Sequence, residues 1–385
     1  MDFPGMRVNT GMSQQPINSS ASSIPSPPGV PPNMRPDKQA EQTHVQDILG
    51  GITALEEQLG LIPEKGRSPL FPFKLACNCY QRQGESLGGL ALAARQPMVR
   101  ECMMLVAAAM DLVRYYQATR RLSEFRKLAQ HFALVGDGLF GVAGTYGIQM
   151  SKGSPLRGLL EAAGCSFPED QKAKDATRKT IELMFGLAAL NAFDSVELED
   201  TKDSGSSAPN PDVIIGFEGK RYGLACKSVS SLHEAGMKAN IDKGVEQLKR
   251  SIKAGRVDQR CGIVVIDASA ILDQDWLYMP EPDTFWGKEH AGEVLKNELN
   301  ASLAKVYAPN GSRSFHEIFS PSFKDSGLPV GVLFYAHGLM ICDSGGAVSP
   351  VYQKALQLAY GGDTSSTLPF LKRLDRAVNC QPVAP

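Results

Sequence analysis

The chain has 385 residues, 43% of them hydrophobic and 21% charged, with a formal net charge of −1. That length exceeds one typical compact domain and suffices for two, and the apolar content supports at least one sizeable core. The near-neutral balance excludes a uniformly basic nucleic-acid binder, so any contact with DNA must come from a local basic face.

The first 40 residues include Ser-Ile-Pro-Ser-Pro-Pro-Gly-Val-Pro-Pro, a composition that buries too little apolar surface to offset chain entropy, and a disordered leader over 1–40 is expected. It lacks the apolar segment of a signal peptide. Helical periodicity then places Val45, Ile48, Leu49, Ile52 and Leu55 on one stripe before Gly60 and Pro63. A second, longer helical region runs from Gln96 to about Val135, and Gly136, Gly138, Gly141 and Gly144 end it. Together these predict an α-helical module over 41–165. Its apolar centre, Met103 to Val113, falls short of the roughly 20 residues that span a bilayer and is followed by Arg114, Arg120 and Arg121. No membrane association is expected.

The eight cysteines are scattered, and Cys102, Cys226 and Cys261 sit inside apolar runs, where a free thiol behaves as a small core residue. This usage suits a reducing, cytoplasmic setting. Cys77-Asn78-Cys79 has no second pair to complete a four-ligand zinc site.

From residue 166 the rhythm changes to that of an α/β domain, expected to reach 360 and leave 361–385 as a tail. A helix over 172–193 leads into a strand at Asp194 to Glu199 and a polar loop, Thr201 to Asn210. Val213 to Phe217 and Arg221 to Cys226 read as an antiparallel hairpin joined at Glu218-Gly219-Lys220. A helix from about Met237 to Lys253 follows. The β-branched run Gly262 to Ile266 then reads as a strand covered on both faces. A helix near Glu293 to Val306 and a strand at Val330 to Tyr335 complete the pattern.

Asp212 opens one strand of the hairpin and Lys227 closes the other, so the two side chains can meet across it. An ammonium at the end of an apolar strand needs a carboxylate or phosphate beside it. As isolated residues, Asp212 also suits a turn and Lys227 a solvated strand end. Glu182 is the one ionisable residue within Ile181 to Leu190.

The run of a helix with Glu182, then PDVIIGFEGKRYGLACKSV, then a helix with KGVEQLKR, then GIVVIDAS resembles the PD-(D/E)xK nuclease superfamily, in its Mrr-like and Holliday-resolvase-like branches. The resemblance covers about residues 172–270. It implies a restriction-endonuclease-like mixed sheet flanked by helices, and a metal-dependent endonuclease using Mg²⁺ or Mn²⁺ on DNA. It further implies that Asp212 binds the metal, Lys227 positions or activates water, Glu182 adds a metal or water contact, and Gln247 lies nearby. The second acid of the motif is replaced here by Ala225, whose methyl cannot coordinate a cation. The resemblance offers Glu246 as its replacement, with Glu234 second. The other implication is a protein that keeps the fold without catalysis and serves as a nucleic-acid-binding or assembly module.

A substrate track is available in Lys238, Lys243, Lys249, Arg250, Lys253, Arg256 and Arg260, of which Lys243 and Arg250 flank Gln247. The same charges also suit a solvated helix face. A second basic patch, Arg114, Arg120, Arg121, Arg126 and Lys127, carries Tyr115 and Tyr116, which more often pack than stack on bases. The N-terminal helices are candidates for a homo-oligomer contact.

Overall fold

The computed structural model describes residues 9–10, 13–14, 38–60, 68, 70–86, 96–134, 155–163, 181–198, 211–229, 231, 233–280, 285–307, 315–343, 348–360 and 367–379. The expected leader lies almost wholly outside these residues, apart from a short ladder pairing Asn9–Thr10 with Ser13–Gln14 and the first turn of a helix. The glycine-rich stretch at 136–144 and the polar loop at 201–210 also lie outside them.

The protein is an α/β fold built on a mixed sheet of seven strands among the described residues. Five helices come first: α1 (Lys38–Leu59), α2 (Phe71–Ser86), α3 (Pro97–Ala118), α4 (Leu122–Leu134) and α5 (Pro155–Ala162). The single long helical region expected after Gln96 is broken into α3 and α4. Thr119 is extended at the break, and its hydroxyl accepts from Arg121 N–H at 3.1 Å, a local turn that competes with helix. Helix α6 (181–189) leads into strand β1 (Ser195–Leu198).

The hairpin of β2 (Val213–Phe217) and β3 (Lys220–Ser228) is antiparallel as expected. Its loop is two residues, with Glu218 at φ 50° and Gly219 at φ 73°, the left-handed pair that matches strand twist in a tight hairpin. Helix α7 (Glu234–Lys253) crosses back so that β4 (Gly262–Asp267) pairs with β3 in parallel. After α8 (Gln274–Tyr278), β5 (Trp286–Gly287), α9 (Ala291–Tyr307) and α10 (Phe315–Phe319), a thirteen-residue strand β6 (Gly331–Asp343) pairs parallel with β4. Strand order is β1-β2-β3-β4-β6-β5, with β7 (Val348–Tyr360) antiparallel to β6.

Two cores cover the two faces. The first joins α1–α6 to Val213, Ile215, Tyr222, Leu224, Cys226, Val265 and Leu333, so the helical segment closes one face of the sheet. The second holds α7 and α9 against Ala225, Val264, Ile266 and Phe334. Cys102, Cys226 and Cys261 are all buried, as their apolar settings imply.

One correction concerns the C-terminus. Residues 368–378, expected within a tail, form helix α11 (Leu368–Val378), whose Phe370, Leu371, Leu374, Ala377 and Val378 join the first core. Phe370 stacks on Tyr222 of β3, ring centroids 4.1 Å apart and planes within 4°. Pro at the first turn suits helix initiation there. No described helix is long and apolar enough to cross a membrane.

Candidate functional site

Alternation along the hairpin decides which side chains share a face. Val213 and Leu224 are paired and enter the first core, and Asp212 N–H donates to Leu224 O at 3.0 Å, extending the ladder by one bond. Asp212 is therefore out of phase with Val213 and faces the α7 side, as do Ala225 and Lys227. The two predicted residues meet there. Lys227 Nζ lies 3.2 Å from Asp212 Oδ2. The carboxylate is 5% exposed as a residue and the lysine side chain 14%, so this is a sheltered ion pair.

Helix α7 completes the site. Glycine lets it approach the sheet: a Cβ on Gly223 would meet Val257 Cγ2 at 2.6 Å and Leu248 Cδ2 at 3.1 Å, and one on Gly244 would meet Val264 Cγ1 at 2.9 Å. At that separation Gln247 bridges the pair. Its Nε2 donates to Asp212 Oδ1 at 3.0 Å and its Oε1 accepts from Lys227 Nζ at 2.7 Å. Cys226 N–H donates to Asp212 Oδ2 at 2.5 Å, and Cys226 O accepts from Lys227 Nζ at 3.0 Å.

The ammonium has three N–H donors and three oxygens around it: Asp212 Oδ2, Cys226 O and Gln247 Oε1. Each donor has an acceptor, so the network is closed in this arrangement. Asp212 accepts from three groups with its two oxygens.

The other predicted positions differ in their settings. Ala225 is 0% exposed and packs in the second core, so a methyl stands where the resemblance led to the expectation of an acid. Glu246 is one residue from Gln247, about 100° around the helix; its side chain is 62% exposed and pairs with Lys249 at 3.2 Å. The structure corrects its placement as the replacement acid. Glu234 sits in the first turn of α7, more than three turns from Gln247. Glu182, 3% exposed, is carried by α6, whose neighbours Ile181, Leu183 and Phe185 belong to the core on the opposite face of the sheet.

These residues do not fit a divalent cation as they stand. One carboxylate, one amide oxygen and one backbone carbonyl surround an ammonium, and among the described residues no three His, Cys, Asp or Glu side chains are grouped to hold a metal. A hard cation takes six to eight oxygens and is favoured by carboxylate charge.

Lys243 and Arg250 are exposed one turn to either side of Gln247, a spacing that keeps them on a neighbouring stripe of α7. Lys238 is instead paired with Asp242 at 2.8 Å. The second basic patch is only partly available: Arg121 is held by Glu124 and Phe193 O, and Arg126 donates to Gln58 O at 2.5 Å. Tyr115 packs rather than stacks, donating to Val378 O at 3.0 Å and accepting from Lys354 Nζ at 2.9 Å.

Sequence reasoning missed a buried polar group at the C-terminal end of β4. Asp267 Oδ1 accepts from Ser269 N–H at 3.0 Å and lies 2.6 Å from Ser269 Oγ, which is 2.9 Å from His337 Nδ1. Burial pushes the Asp267 carboxyl up to about 6 despite these hydrogen bonds, and burial with the nearby Lys354 charge holds His337 down at about 3. The legible signal was an acid closing the apolar run Gly262 to Ile266; the histidine sits 70 residues later, and only the parallel pairing of β4 and β6 joins them.

Searched against family models, curated proteins and solved structures, the chain finds no match.

Proposed function

We propose that the sheet domain is a restriction-endonuclease-like, PD-(D/E)xK-type module that binds DNA along its phosphate backbone without hydrolysing it. The observation that carries this reading is the saturation of Lys227. All three of its donors are engaged by the protein, leaving none to orient an attacking water. The absence of an acid at Ala225 and the outward turn of Glu246 agree with it. Lys243 and Arg250, exposed beside the site, supply the positive charge for phosphate. The six described cysteines are all free thiols, in keeping with a reducing, cytoplasmic setting.

Duplex DNA titrated into the full chain tests the binding. Affinity falls steeply with added salt, and Lys243→Glu with Arg250→Glu weakens it by roughly tenfold or more through lost phosphate neutralisation. Salt-independent binding, or none, refutes the reading.

A second reading, the metal-dependent endonuclease, draws on one specific observation. Glu182 is a carboxylate kept 3% exposed on an otherwise apolar helix, the position at which the resemblance expects a metal or water contact. Plasmid nicking with Mg²⁺ or Mn²⁺ by the wild type, abolished in Asp212→Ala and Lys227→Ala, decides for it.

A further inference from the structure

The three oxygens around Lys227 Nζ form the kind of cradle that elsewhere holds a hard cation: a carboxylate oxygen at 3.2 Å, a backbone carbonyl at 3.0 Å and an amide carbonyl at 2.7 Å. They come from three separate pieces of chain, the entry to β2, the end of β3 and the middle of α7. All three point at one atom. Their convergence is enforced by the sheet register and by the close seating of α7 on Gly223 and Gly244. We infer that Lys227 is a tethered resident cation, filling and neutralising a site that would otherwise take a divalent metal, so that the side chain itself blocks metal binding.

The physical argument is one of competition. A covalently tethered ammonium pays no cost of capture from solution, and it neutralises the one carboxylate present. A free Mg²⁺ or Mn²⁺ would have to displace it, moving the charged end of Lys227 out of a shelter where its side chain is 14% exposed. With a second acid at position 225 the cradle would have charge enough for both cations. Ala225 removes that option. The inference deepens the metal-free reading above, and it does not depend on whether the domain binds DNA.

The test uses the full chain and Mn²⁺ alone, with free Mn²⁺ followed by electron paramagnetic resonance and the folded state by thermal melting. Wild type leaves Mn²⁺ free and its melting temperature unmoved. Lys227→Met retains the length of the stem but removes the charge; it binds one Mn²⁺ roughly tenfold or more tighter than wild type and is stabilised by the ion through mass action. Adding Asp212→Asn to Lys227→Met abolishes that gain while restoring stability, because the buried charge is gone with its partner.

Two results overturn the inference: wild type taking up Mn²⁺ in an Asp212-dependent manner, or a folded Lys227→Met binding it no better than wild type. If Lys227→Met does not fold, the wild-type arm with its Asp212→Asn control still decides. Loss of DNA binding with the Mn²⁺ pattern intact refutes the DNA reading alone, and Mn²⁺ uptake by wild type with DNA binding intact refutes this one alone.

Discussion

Lys354 Nζ on β7 lies 2.7 Å from Asp111 Oδ2 on α3, with both side chains under one-tenth exposed. The ammonium also donates to Tyr115 Oη at 2.9 Å and Val378 O at 3.3 Å, so the N-terminal helices, the last strand and the C-terminal helix are joined at one atom. Removing one member of a buried pair strands the other's charge. Asp111→Ala is expected to cost about 3–5 kcal/mol, read as a shift in urea midpoint at constant slope. A change below about 1 kcal/mol, the surface-pair range, would show that the pair is solvated.

Gln247 and Glu246 separate by phase on α7, and their substitutions separate accordingly. Gln247→Leu leaves Asp212 Oδ1 and Lys227 Nζ each short of a partner and is expected to cost about 1–3 kcal/mol. Glu246→Ala removes only an exposed pair and stays within about 0.5 kcal/mol. Equal effects in chemical denaturation would mean that the helix is rotated from the orientation described.

Two buried groups give opposite pH slopes. Asp267 is raised from 3.8 to about 6, so its contribution is fully present below 3.8 and is lost as pH rises through 6, by roughly 3 kcal/mol. His337 is lowered from 6.5 to about 3, so its neutral burial supports the fold above 6.5 and is lost as pH falls towards 3, by roughly 5 kcal/mol. The histidine is the larger effect, and the pair together lose stability on acidification. Asp267→Asn should steepen the acid loss and His337→Gln should flatten it, in denaturation midpoints taken from pH 4 to 7. Parallel profiles for wild type and both variants would refute the assignment.

Helix α11 is expected to behave as core. Phe370 is 0% exposed and stacked on Tyr222, so Phe370→Ala should cost about 3–5 kcal/mol in denaturant unfolding. A loss under about 1 kcal/mol would mean that the helix is an appendage. For the same reason, truncating 1–165 is a poor test of oligomerisation. It would strip α1–α5 from the first core and expose one face of the sheet, so light scattering belongs on the full chain.

Several features were legible because short-range physics determines them. The hairpin follows from two β-rich runs and a left-handed turn at Glu218-Gly219, and Asp212 and Lys227 share its open end by strand alternation alone. Gln247 and Glu246 cannot be told apart as site residues from the sequence, because residue spacing on a helix gives relative angles but no absolute rotation. That rotation comes from Gly223 and Gly244 seating the helix on β3 and β4. Strand β7 and helix α11 are not legible in the sequence: Pro350 interrupts the pattern of one, and the other is a short amphipathic segment among turn-forming residues.

The amino-acid order by itself determined the α/β class, the covered central strand at 262–267 and the pairing of one acid with one ammonium, since each depends on local periodicity or on neighbours across a tight turn. Tertiary structure alone decided that Lys227 has all its donors engaged, that Glu246 faces water, that Ser269 links Asp267 to His337 and that Lys354 meets Asp111. Those contacts join residues from separate elements, and the distance between such residues is set by how helices and strands stack, which no stretch of chain encodes on its own.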